Sequence, residues 1–74
     1  MAFFDWELAI SIGDVFFRHG VDEVKAKAMI DDIAFDKYPK RRADQHREAF
    51  MRRAEHHYNR RKELEPENFG KWRR

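Results

Sequence analysis

The chain has 74 residues, 41% of them charged, and no cysteine. A domain this short buries only about 60% of its unfolded surface, and without thiols neither disulfides nor thiolate metal sites can reinforce it. No apolar run nears the ~20 residues of a membrane span, and Asp5 and Glu7 stand where a secretory leader would carry bases, so the expected setting is cytoplasmic, with no membrane partner.

Charge is unevenly placed. Residues 1–36 hold three bases (Arg18, Lys25, Lys27) against eight acids, a net of −5, whereas residues 37–74 hold thirteen bases against six acids, a net of +7. Such polarity suggests a polar partner, or a like chain docking antiparallel. The eleven aromatic residues argue for a folded chain despite the high charge. There are no repeats or low-complexity tracts, and strand-like alternation is absent. The expectation is a single all-α domain of three helices with a C-terminal tail.

The first helix is expected over about 3–19, with Asp5 as N-cap, Glu7 near the positive end of the dipole, and Gly20 as the left-handed stop. Glu7, Ser11, Asp14 and Arg18 share one sector about 60° wide, with Asp14 and Arg18 spaced to pair. The rest is apolar: Leu8, Ile12 and Val15 on one flank, Phe3, Trp6, Ile10 and Phe17 on the other, Ala9 and Phe16 between. A bare flank of four large side chains would forfeit on the order of 6–12 kcal/mol, comparable to the stability of a whole domain. Both flanks are therefore expected to be covered, which favours a homodimer. Ala9 and Gly13 form a small-residue notch that suits close approach of another helix, at a cost of about 1 kcal/mol for a glycine within a helix.

The second helix is expected over about 22–36, capped by Asp22. Its main apolar stripe is Ala26, Met29, Ile30 and Ile33; Val21, Val24, Ala28 and Phe35 make a weaker one. The short link through Gly20 and Val21 makes the first two helices neighbours. Helix–Gly–Val–helix invites comparison with a helix-turn-helix. However, Phe16 is bulky where that motif wants a small residue, and Asp22 and Glu23 would turn the wrong charge toward phosphate.

Pro39 ends the second helix and is expected to begin a third, running to about Glu65 before Pro66. Its seam is Ala43, Phe50, Met51, Ala54, His57 and Tyr58, with Leu64 beyond. At roughly 39 Å it would exceed the ~29 Å body of a compact 74-residue globule, leaving 59–65 to project or to pair. The tail, 66–74, either folds back to set Phe69 and Trp72 on the core or serves as a basic-aromatic hook; fold-back is favoured, because tryptophan is costly to leave in water.

Signals for catalysis are weak. Ser11 and two tyrosines are the only hydroxyls, no glycine-rich loop exists, and the adjacent pairs Asp31–Asp32 and His56–His57 each diverge by about 100° on a helix. HExxH is absent, and neither a metal nor another cofactor is expected. His57 reads as a packed interface histidine.

The basic face of the third helix is the strongest functional signal. The candidate partner-binding residues are Lys40, Arg41, Arg42, Arg52, Arg53, Arg60 and Arg61; Trp6, Ile10, Gly13, Phe17, Phe50, His57 and Tyr58 are assigned to the core or to self-association. Lys40, Arg41 and Arg42 would oppose the helix dipole at the expected N-terminus, where free N–H groups also attract anions. Glu48–Arg52 and Arg61–Glu65 can pair, and Glu48, Glu55 and Glu63 would repel a phosphate backbone. The leading expectation is a small interaction protein that binds and modulates or inhibits a larger protein with an acidic surface, by analogy with small regulators and phage-type inhibitors. A nucleic-acid binder is the alternative.

Overall fold

A computed structural model describes residues 5–39 and 44–72. Within them the chain forms three α-helices, α1 (Trp6–His19), α2 (Glu23–Lys37) and α3 (Asp44–Leu64), followed by a 3-10 turn over Pro66–Asn68. There is no strand among the described residues, and no helix is long and apolar enough to cross a membrane.

Local chemistry sets the boundaries. The Asp5 carboxylate accepts from the Leu8 N–H at 3.0 Å and starts α1; Asp22 does the same for α2 through Lys25. Gly20, at φ 69°, ψ 33°, ends α1. Its N–H donates to the Phe17 carbonyl while Val21 N–H donates to that of Phe16, the paired bonds of a Schellman turn. A side chain is disfavoured in that left-handed conformation, so glycine is what allows so tight a corner.

α3 lies against both α1 and α2 and carries the centre of the core. Phe50, Ala54 and Tyr58 form its buried stripe and meet Ala9, Phe16 and Phe17 of α1 and Ala26, Ile30 and Ala34 of α2. Tyr58 is fastened at its polar end, its hydroxyl donating to the Val21 carbonyl in the α1–α2 corner. The notch on α1 is where α3 crosses. A Cβ on Gly13 would stand 2.7 Å from the Ala54 carbonyl oxygen and 3.1 Å from both the His57 Cβ and the Tyr58 nitrogen.

Pro39 lies outside the helices, and α3 is described from Asp44. The described span of α3 is 21 residues, roughly 32 Å. The tail folds back, the favoured of its two readings: Phe69 packs edge-on against Phe17 and Tyr58 at 5.9 and 6.3 Å, and Gly70 and Trp72 donate backbone hydrogen bonds to the Phe17 and Arg18 carbonyls, each at 2.9 Å.

On α2 the inward stripe is Ala26, Ile30 and Ala34, while Met29 sits at the rim, since the tight contact with α3 selects small residues. On α1, finally, the two flanks are not both covered. Phe17 is fully buried within its own chain, whereas Trp6 is 50% exposed and Leu8 and Val15 remain more than a third exposed. Within the single chain the helix buries the strip between its flanks and leaves part of each flank open, while Phe17 is covered without a second chain.

Candidate interaction surface

The bases of the C-terminal half divide by what they touch. Among the described residues seven cation–ring contacts occur, where a chain this size usually has about one. Arg47 lies 4.5 Å over Phe35, Arg61 4.6 Å over Phe17, and Lys62 covers both Tyr58 and Phe69. Arg61 and Lys62 shield rings of the core and Arg47 covers a ring exposed on α2, and such contacts contribute roughly 0.5–1 kcal/mol where solvent reaches them. Much of the basicity is therefore structural.

Arg61 shows this most fully. Its guanidinium donates to Asp14 of α1 and meets Glu65 at 3.0 Å, as the i, i+4 spacing predicts. Asp14 also pairs with Arg18 at 2.9 Å, and the Asn68 amide donates to Glu65 at 3.0 Å, so one polar network ties α1, α3 and the tail. Burial pulls the Asp14 carboxyl upward, but the hydrogen bonds and charges of Arg18 and Arg61 outweigh it and hold its pKa below the ordinary value. Glu65 is lowered as well, by the Asn68 amide first and by Arg61.

His57 packs its Cβ toward Gly13 at the helix crossing. Burial lowers its pKa, and the Arg61 charge lowers it further. A histidine whose folded pKa is depressed contributes stability that is full above the unfolded value of about 6.5 and is lost as pH falls through the folded value. The stability of the wild type relative to His57→Gln is accordingly expected to decline from pH 7 toward pH 5 in urea titrations. A difference independent of pH would show that the imidazole is not held neutral by its surroundings.

The remaining sequence candidates fall into two groups. Phe50 and Tyr58 are core, Gly13 is the crossing point, and Ile10 is partly buried. Lys40, Arg41 and Arg42 lie outside the described residues. Arg52, His56 and Arg60 follow at four-residue intervals as an exposed row on α3, and neither arginine makes an ion pair among the described residues. Glu48 and Glu63, also exposed, share this face and bracket the row.

Beside the row is an open groove of about 410 Å³ lined by Trp6, Ala49, Arg52, Arg53 and His56. The Arg53 guanidinium stacks 4.1 Å over the Trp6 indole. Sequence reasoning assigned Trp6 to the core or to self-association and Arg53 to a basic face, and missed that they form one feature. Their positions on different helices gave no local signal, and Ala49 was not singled out at all.

Fold and surface together define a cation-capped three-helix domain with a basic-aromatic groove on one side. The chain matches no family model, no curated protein and no solved structure.

Proposed function

We propose that this chain is a small helical interaction module that binds a larger protein through an acidic surface and modulates or inhibits it, rather than an enzyme. The carrying observation is the division among the bases. Arg47, Arg61 and Lys62 are occupied by rings and internal carboxylates, while Arg52, His56 and Arg60 remain outward next to the Trp6–Arg53 stack. Arg52 and Arg60 are separated by roughly 12 Å along the helix, with an acid beyond each end of the row. A discrete cluster of carboxylates suits that pattern. A phosphodiester track would meet Glu48 or Glu63 within a turn.

The charge reversal Arg52→Glu with Arg60→Glu tests this reading. Both positions are exposed, so stability is expected to change by less than about 0.5 kcal/mol. A partner retained by the wild-type chain from nuclease-treated lysate is expected to be lost. Binding of mixed DNA and RNA in a gel shift, weakening steeply with salt, would instead favour the nucleic-acid reading, because phosphate contacts release counterions.

Self-association forms a second part of the reading, and its support has moved. Val24, Ala28 and Phe35 share the outward face of α2, with Val24 80% and Phe35 56% exposed. Sedimentation showing only monomer at micromolar concentration would remove it.

A further inference from the structure

The groove between α1 and α3 is more specific than a basic patch. Its lining divides into an apolar floor, the Trp6 indole and the Ala49 methyl, and a rim of donors, Arg52, Arg53 and His56, with no carboxylate among them. Ala49 and Arg53 are one turn apart, as are Arg52 and His56, so two donor-bearing rows run along roughly 10 Å of α3. An occupant must offer acceptors to the rim and an apolar group to the floor.

The Arg53 geometry narrows the acceptor. A guanidinium centred 4.1 Å over an indole is held by the ring without spending its N–H donors, which remain for a ligand. Stacking also holds the fork in place before anything binds, which lowers the ordering cost of a bidentate contact. A fixed planar fork fits the two oxygens of a carboxylate. The floor is a single half-exposed indole and one small residue, which suits one large apolar side chain.

We infer that this groove is a docking site for an acidic protein segment that places a phenylalanine- or leucine-sized side chain on Trp6 and Ala49 and an adjacent carboxylate on Arg53. A second carboxylate meets Arg52 and His56. The inference rests on the acidic-partner reading and adds to it a required apolar anchor and a site. Arg60 lies beyond the groove lining, which separates the two claims experimentally.

The test uses the full chain carrying Trp72→Phe, which leaves Trp6 as the sole indole. Its emission is titrated with a short glutamate-rich peptide bearing one phenylalanine, with the same peptide carrying alanine in its place, with the glutamine-for-glutamate peptide, and with a thymidine oligonucleotide. The first is expected to give a saturable change, and the alanine and glutamine peptides to bind at least tenfold more weakly. Arg53→Gln is expected to cost at least tenfold. Arg53→Lys, which keeps the charge and loses the fork, is expected to cost several-fold with an unchanged far-UV spectrum. Acidic-peptide binding indifferent to the phenylalanine or to Arg53, yet lost on reversing Arg60 alone, would overturn the groove assignment and leave the broader reading standing. Tighter binding of the oligonucleotide would overturn both, and no saturable change with any peptide would overturn the groove.

Discussion

Gly13→Ala is expected to destabilise the domain by about 2 kcal/mol, against the usual direction of a glycine-to-alanine change in a helix. Alanine would gain about 1 kcal/mol in helix propensity. The added methyl, however, would stand 2.7 Å from the Ala54 carbonyl oxygen and 3.1 Å from the Tyr58 backbone nitrogen. Backbone atoms cannot swing aside as a side-chain end can, so relief requires α1 and α3 to separate along their whole contact. Overpacking of this kind costs about 1–3 kcal/mol, and here its upper end is the relevant one. Since each kcal/mol shifts the midpoint of a domain this size by roughly 4–8 °C, thermal unfolding followed by circular dichroism should show a fall well above 5 °C. A midpoint equal to or above that of the wild type would mean the helices do not approach as closely as described.

Phe69→Ala is expected to cost about 3 kcal/mol, an effect of the size seen when a core aromatic is lost. Phe69 is partly exposed, which argues for the lower part of that range, but its ring covers two others. Removing it uncovers Phe17, which is otherwise fully buried, and strips one face from Lys62. It also loosens the turn whose Gly70 N–H donates to the Phe17 carbonyl. Urea unfolding measures the loss, and binding of an apolar dye should rise in the folded baseline as Phe17 opens. Trp72→Ala offers the contrast: this half-exposed indole touches His19 and the Arg18 guanidinium at the rim, and its loss should cost less than half as much. Equal effects from the two would show that the tail acts by its backbone alone.

The parts of this fold legible in sequence were those set by neighbouring residues. Asp5, Asp22 and Gly20 announce helix ends through chemistry acting within four positions, and Asp14–Arg18 and Arg61–Glu65 pair because one turn brings them together. The Ala9–Gly13 notch was visible as a pattern, although only the fold shows that α3 fills it. Contacts across the chain were illegible for the same physical reason. Arg61 looks like surface charge by spacing alone, yet it reaches Asp14, 47 residues away, and comes to lie over Phe17. The return of Phe69 to the core was legible from the cost of leaving aromatic rings in water, but nothing near Phe17 in sequence reveals that it is the ring Phe69 covers. Periodicity sorts residues around one helix and is silent on which cation will lie over which ring.

The groove belongs to that second category. Trp6 and Arg53 are distant in sequence and adjacent in space, so neither an aromatic count nor a charge count could join them. The same redistribution shortens the catalogue of outward bases. A composition rich in arginine suggested a broad basic face; the described residues leave a row three side chains long, with a stacked arginine at its side.

Because Gly70 and Trp72 supply hydrogen bonds to the Phe17 and Arg18 carbonyls at the C-terminal end of α1, those carbonyls acquire their partners only after more than fifty further residues have been translated. Phe17 therefore gains its aromatic cover only once the segment bearing Phe69 has been made. Contacts so far apart along the chain also slow the search for the native state relative to a bundle closed by nearest neighbours.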